Sequence, residues 1–126
     1  MHSKKEELPV VLEGPGTKFR AKGGYGKMAP AYWEMPAGPV DKALLEGLPN
    51  NSCHCPHWGY VVKGKMTIHY DSGEDEIVSA GDVFYIPSGH TATINEGISV
   101  IEFSPEKEYM EVMDHFRKKM EEMSQH

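Results

Sequence analysis

The second half of the chain is a series of short apolar segments separated by turn residues, and this pattern constrains the fold more than any other feature. Residues 65–70 alternate polar and apolar side chains, as a half-buried strand does. The full series covers residues 58–62, 65–70, 76–79, 83–86, 91–95 and 98–103. Turn residues separate the segments, for example at 71–74 and 87–89. Short strands at this spacing are typical of an antiparallel sandwich or barrel.

The first half of the chain carries weaker signals. Residues 17–21 alternate weakly and are predicted as a strand. Residues 27–35 are rich in aromatic and small side chains, and Pro30 indicates an edge strand or an interrupted strand there. Residues 41–47 are predicted as one or two helical turns that end at Gly47.

The tail changes from a strand pattern to a helix pattern. Ser104 is predicted to cap a helix with Pro105 at its first position, so the helix covers about residues 105–124. One apolar stripe recurs at helical spacing and consists of Tyr109, Met113, Phe116, Met120 and Met123. Such a stripe must be covered, either by the barrel of the same chain or by a second subunit.

Charge and cysteine content narrow the classes of function. The 126 residues include 13 lysines and arginines and 19 aspartates and glutamates, which gives a formal net charge of −6. The sequence has no basic patch, so we expect no nucleic-acid partner. It has no apolar run of ~20 residues and no secretory signal, so we expect a cytoplasmic protein without a membrane partner. Cys53 and Cys55 are too close for a stabilising disulfide, which favours reduced thiols or thiolate ligands.

Candidate metal ligands are concentrated in one short segment. It reads Cys53-His54-Cys55-Pro56-His57, and His90 follows directly after a Pro-Ser-Gly turn. Thiolate and imidazole ligands together suit zinc, copper or iron. On an extended chain Cys53, Cys55 and His57 share one face, while His54 points the other way.

Two stretches resemble the two motifs of a small single-domain cupin. The first is Trp58-Gly59-Tyr60-Val61-Val62-Lys63-Gly64, and the second runs from Gly81-Asp82 through Pro87-Ser88-Gly89-His90. Counted from the motif glycines, the four positions at which cupins carry metal ligands fall on Asn51, Cys53, His57 and Ala92. More narrowly, the sequence resembles one bacterial subfamily of small cupins. Its members tend to carry cysteine and histidine in the first motif and a single histidine directly after the glycine of the second.

The resemblance implies an all-β fold, an antiparallel β-barrel or jelly roll with a C-terminal α-helix. It implies one cupin domain over residues 1–126, with a barrel over about residues 17–103. Small cupins commonly pair, so we expect a homodimer, through the tail stripe or an exposed sheet edge.

The resemblance also implies a site inside the barrel. Cys53, His57 and His90 are the candidate ligands of a divalent transition metal, zinc or iron, and three protein ligands would leave an open position. The alternative is a vestigial cluster in which the thiols are small buried side chains and the histidines bond to backbone carbonyls. The residues predicted to line a ligand pocket are Asn51, Cys55, Trp33, Tyr60 and Tyr85.

Two functions therefore stay open from the sequence. One is a metal-dependent enzyme that acts on a small molecule, with Tyr60 or Tyr85 as a proton donor. The other is a non-catalytic module that binds a metabolite or a metal. Neither reading identifies a substrate or a reaction.

Overall fold

The structure is a computed structural model, and it describes residues 1–124; Gln125 and His126 lie outside the described residues. Eight strands and two α-helices follow one another along this part of the chain. They are β1 (Val10–Gly14), β2 (Thr17–Ala21), β3 (Met28–Met35), β4 (Gly38–Pro39), α1 (Lys42–Leu45), β5 (His57–Tyr70), β6 (Asp75–Ser79), β7 (Val83–Ile86), β8 (His90–Pro105) and α2 (Glu106–Ser124). Two short 3₁₀ turns cover Lys5–Glu7 and Pro49–Asn51.

All strand pairs are antiparallel and form one sheet. Its hydrogen-bonded order is β1-β2-β3-β8-β5-β6, with β4 paired to β8 and β7 paired to β5. The predicted all-β fold with a C-terminal helix is confirmed. The predicted closure of the barrel is not found among the described residues, because β1 and β6 are two unpaired ends of the sheet.

The two longest strands, β5 and β8, each replace two predicted strands. Both strands continue through a glycine, Gly64 in β5 and Gly97 in β8. The pairing between the two strands shifts its register near these glycines and then resumes. Gly64 has φ +87°, and a Cβ at this position would lie 2.2 Å from the carbonyl oxygen of Gly97. Close backbone approach therefore bends the pair of strands at the positions where the sequence pattern indicated breaks.

Strand β3 is central, although Pro30 had indicated an edge or an interruption. It lies between β2 and β8. The Pro30 carbonyl accepts from the N–H of Lys22, just beyond the last β2–β3 pair. Both main-chain groups of a strand residue point to the same side, so the missing N–H faces the end of β2 and leaves the β8 ladder intact.

Strand β1 was not predicted from the sequence, and the strands therefore begin before residue 17. Only Leu12 of its five residues is buried, so β1 lacks a clear alternation of buried and exposed positions. Its pairing with β2 defines it as a strand.

Helix α2 begins at Glu106, and Pro105 is the last residue of β8. The Glu106 N–H donates to the carbonyl of Lys27. The Ser104 hydroxyl is hydrogen-bonded to His57. The predicted Ser104 cap is thus replaced by a contact inside the sheet.

The apolar stripe of α2 packs on its own chain, which decides between the two predicted coverings. Tyr109, Val112, Met113 and Phe116 are buried, while Met123 is 45% exposed. The helix contacts β1, β3, β8 and α1. No helix among residues 1–124 has the length and apolar character to cross a membrane.

Candidate metal centre

Backbone pairing brings Cys53 and His90 together. The Cys53 N–H donates to the carbonyl of His90 at 2.8 Å, and the Gly89 N–H donates to the carbonyl of Cys53 at 2.9 Å. This isolated bridge joins the loop before β5 to the first residue of β8. Two segments 37 positions apart in sequence thereby present their side chains at one place.

His57 completes the group as the first residue of β5. It pairs with Ile86 of β7, immediately before the turn that leads to His90. Two residues later, a Cβ at Gly59 would lie 2.4 Å from the carbonyl oxygen of Ile101 and 2.9 Å from the Cβ of Glu102. The glycine of the first motif therefore lets β8 approach, and this places Glu102 beside His57.

The donor atoms of Cys53, His57 and His90 all lie within 4.8 Å of one another. The Cys53 Sγ and His57 Nε2 atoms are 3.6 Å apart. Zinc–sulfur and zinc–nitrogen bonds of about 2.3 Å and about 2.0 Å at a tetrahedral angle place sulfur and nitrogen about 3.5 Å apart, close to the separation found here. The residues present therefore fit a divalent metal of the zinc type.

Each imidazole is held through the nitrogen that faces away from this cluster. The His57 Nδ1 atom lies 2.7 Å from the Ser104 hydroxyl and 3.3 Å from the Glu102 carboxyl. The His90 Nδ1 atom donates to the carbonyl of Pro87 at 2.8 Å. With Nδ1 as the donor in both rings, each Nε2 presents a free lone pair, which is how partners around a metal site orient histidine ligands.

Burial sets the charge of these ligands. It lowers the pKa of His57 and of His90 to about 4, so both rings are neutral at pH 7. It raises the pKa of the Cys53 thiol to about 12, and the nearby Glu102 carboxyl adds to the rise. Without a metal, Cys53 is therefore a neutral thiol.

Glu102 is a buried carboxyl at the edge of the cluster and is 4% exposed. Burial raises its pKa to about 8, and the indole N–H of Trp33 acts in the opposite direction. The carboxyl is thus mainly protonated at neutral pH.

A cavity of about 350 Å³ adjoins the cluster. Cys53, His57, His90 and Glu102 lie on its wall together with side chains of the sheet. Helix α2 supplies Tyr109, Val112, Met113, Phe116, Met120 and Met123. The volume is within the range of small-ligand sites.

The predicted pocket residues are divided between this cavity and other places. Trp33 lines the cavity. Asn51 is exposed, and its side-chain oxygen accepts from the N–H of Gly47. Cys55 is buried and donates to the carbonyl of Pro56.

The two predicted tyrosines lie on the opposite face of the sheet. Tyr60 is 43% exposed and Tyr85 is 54% exposed. Alternate strand residues face opposite ways, and on β5 the inward position is the neighbouring Val61, which is fully buried. The structure therefore removes Tyr60 and Tyr85 from the pocket.

From the sequence, no role at this site is assigned to three residues next to the cluster: Glu102, Ser104 and Tyr109. The alternation of side chains along β8 indicates that the first two face inward, because Val100, Glu102 and Ser104 are alternate positions and all three are buried. Tyr109 was assigned to a packing stripe, and nothing local marks it as a cavity residue.

Comparison with known proteins agrees with this architecture. Residues 50–98 match the family model of the cupin domain. Among functionally curated proteins, none matches the chain.

Several solved structures share the fold. An RmlC-like cupin from Shewanella frigidimarina is 22% identical, with 82% of this chain and 88% of that chain covered and a TM-score of 0.56. The polyketide cyclase RemF from Streptomyces resistomycificus is 16% identical, with coverage of 84% and 79% and a TM-score of 0.54. KdgF from a Halomonas species is 21% identical, with coverage of 81% and 92% and a TM-score of 0.54. At these identities the similarity shows a common jelly-roll fold.

Proposed function

We propose that this chain, in which residues 50–98 match the cupin domain, binds a divalent transition metal and acts on a small molecule in the adjoining cavity. Cys53, His57 and His90 are the proposed ligands. One observation carries the proposal: three donor atoms lie within 4.8 Å of one another on the wall of a cavity of about 350 Å³. A thiolate among the ligands favours zinc over iron.

The residues around the ligands have separate tasks in this proposal. Ser104 accepts from His57 and fixes its orientation, with the Glu102 carboxyl 3.3 Å from the same nitrogen, and the Pro87 carbonyl fixes His90 in the same way. The apolar wall keeps water away from the bound molecule. A bound metal with three protein ligands supplies a Lewis acid that polarises a carbonyl or activates a water.

A second candidate function is a non-catalytic binding module. The observation that favours it is that each of the three residues has a contact inside the protein: Cys53 Sγ lies 3.8 Å from the carbonyl oxygen of Cys55, and both histidines have a partner at Nδ1. In that case the cavity binds its ligand without a metal. An accessible metal that accepts an added ligand would favour the enzyme, and a metal-free cavity that still binds ligand would favour the module.

Metal content of the purified and zinc-loaded protein tests the proposal. We expect close to one zinc per chain, and we expect Cys53→Ala to lose it, because two neutral imidazoles alone hold zinc weakly. Saturation at about a hundred times Kd should stabilise the wild type by about 2.7 kcal/mol. Mass spectrometry of bound metal and the melting temperature measure these two effects.

Cys55→Ala is the matched control. Cys55 is also a buried free thiol, only two residues away, and its sulfur lies outside the cluster. It should retain zinc and the zinc-dependent rise in melting temperature. Equal zinc content in Cys53→Ala and the wild type would refute the proposed site.

A further inference from the structure

Two buried hydrogen-bond donors on the cavity wall have no partner. Among the described residues, the indole Nε1 of Trp33 and the hydroxyl of Tyr109 are buried without any hydrogen bond. Trp33 is 7% exposed and Tyr109 is 1% exposed. A buried donor that lacks an acceptor costs about 1–3 kcal/mol, so two of them at one cavity point to a ligand that supplies the acceptor.

The two donors come from different elements and line the same cavity. Trp33 lies on β3, where its ring stacks on Phe19 at a centroid distance of 5.2 Å. Tyr109 lies in the first turns of α2. Glu102 of β8 lines the same cavity as both of them.

The remaining wall defines what else the ligand must be. Most of the lining side chains are apolar, and those nearest the helical side are Leu44, Leu45, Val112, Met113, Phe116 and Met120. No lysine or arginine of residues 1–124 lines the cavity. Away from the three proposed metal ligands, a carboxylate beside Glu102 would therefore be buried without a cationic partner, which is unfavourable.

We propose that the cavity takes a small, neutral, mainly apolar molecule that carries a carbonyl oxygen, and that this oxygen accepts from Tyr109 Oη–H and Trp33 Nε1–H. This inference deepens the proposed function and rests on it for the position of the ligand beside Cys53, His57 and His90. It assigns helix α2 a part in ligand recognition, through Tyr109.

Acetophenone and ethylbenzene are suitable probes because they differ in one group only: acetophenone has a carbonyl where ethylbenzene has a methylene. Their dissociation constants are measured by calorimetry on the zinc-loaded full chain. We expect acetophenone to bind at least as tightly as ethylbenzene, although its carbonyl is costlier to dehydrate. In Tyr109→Phe we expect acetophenone to bind about fivefold more weakly while ethylbenzene is unchanged.

Two further variants sharpen the comparison. Trp33→Phe should also lower the preference for acetophenone over ethylbenzene, and the ratio of the two constants cancels the change in ring volume. Tyr60→Phe is the control, because Tyr60 is exposed on the other face of the sheet and its loss should leave both constants unchanged. An unchanged ratio in both Tyr109→Phe and Trp33→Phe would overturn the inference.

Stability of the ligand-free protein gives an independent readout. Removing a hydroxyl that has no partner is nearly neutral or stabilising, whereas removing a bonded one is destabilising. Tyr109→Phe should therefore melt at or above the wild-type temperature, and a clear loss of stability would show that the hydroxyl serves the fold instead.

Zinc content separates failure of the inference from failure of the proposed function. A protein that holds zinc through Cys53 but binds neither probe keeps the proposed metal site and refutes this inference. A protein that holds no zinc but discriminates the probes through Tyr109 refutes the metal site and supports the inference.

Discussion

Cys53 must change its protonation state when it becomes a ligand. Its pKa is raised to about 12 by burial, so the side chain is a thiol at pH 7, whereas zinc binds the thiolate. His57 and His90, with pKa values lowered to about 4, are already neutral and give up no proton. Metal binding is therefore linked to pH mainly through Cys53.

We expect zinc affinity to rise about tenfold for each unit of pH between pH 5.5 and 7.5. Binding releases the Cys53 proton, so removal of protons from solution favours the bound state, and one proton per zinc gives a slope of about one. Competition with a chelator at three pH values measures the affinity. Calorimetry in buffers of different ionisation enthalpy counts the protons, and zinc binding without proton release would contradict a thiolate ligand.

Glu102 is a second source of protons, because its pKa is raised to about 8 by burial and it contacts His57. Glu102→Gln removes that source and closely matches the shape of the protonated carboxyl. The variant should release one proton per zinc, and any excess in the wild type is then assigned to Glu102.

At this scale the sequence predicted the three residues of the cluster and missed their surroundings. Motif spacing identified Cys53 and His57, and the Pro-Ser-Gly turn identified His90, because local chain geometry decides where these residues can lie. Alternation along β8 points Glu102 inward, but its place beside His57 depends on the register between β5 and β8, which includes shifts at bulges. No local pattern encodes such a register.

Helix α2 joins the stability of the fold to the shape of the cavity. Its buried stripe contacts the sheet and α1, and the same side chains form part of the cavity wall. His115 donates to the carbonyl of Glu46 at 2.8 Å and connects α2 to the end of α1. The helix is thus a structural part of the site.

We expect Phe116→Ala to lower the free energy of unfolding by about 3–5 kcal/mol, because Phe116 is only 8% exposed and its ring fills space between α2 and the sheet. Urea titration followed by circular dichroism measures the change. Met123→Ala is the control on the same stripe, since Met123 is 45% exposed and should lose less than about 1 kcal/mol. Equal values for the two variants would indicate that α2 is not packed as described.

Elements whose type follows from alternation or helical spacing were predicted well, whereas the continuity of the longest strands was not. The strands at β2, β6 and β7 and the tail helix follow from alternation and helical spacing. Strands β5 and β8 run through Gly64 and Gly97, where composition alone indicates breaks. Pairing between distant strands decides whether a glycine ends a strand or bends it.

The whole molecule presents one large apolar surface on the outer face of β5, β7 and β8. Seven side chains form this outer patch: Trp58, Tyr60, Val62, Val83, Tyr85, Ile101 and Phe103. They are neighbours in the sheet, since Trp58 pairs with both Tyr85 and Phe103 and stacks on the Tyr85 ring at 5.0 Å. Contiguous exposed patches of this kind are typical of protein interfaces.

The single domain over residues 1–126 stays a prediction, and so does the homodimer. The structure changes the surface through which we expect a dimer to form. The tail stripe is covered by its own chain, so it no longer requires a second subunit. The outer patch contains no charged side chain, which suits contact with an identical uncharged surface across a two-fold axis. A second copy of this chain is therefore the occupant that we propose.

We expect the wild type to elute as a dimer of twice 14.1 kDa and Tyr85→Glu to elute as a monomer, in light-scattering measurements at matched concentrations. A carboxylate on the patch would be buried against the second copy, and an unpaired buried charge opposes association. Ile77→Glu is the control, because Ile77 is 59% exposed on β6 and lies outside the patch, so this variant should stay dimeric. Both variants should keep the wild-type circular dichroism spectrum, since both side chains are exposed in the monomer. A wild type that is monomeric at every concentration, or a Tyr85→Glu variant that remains dimeric, would show that two copies of the chain do not meet on this face.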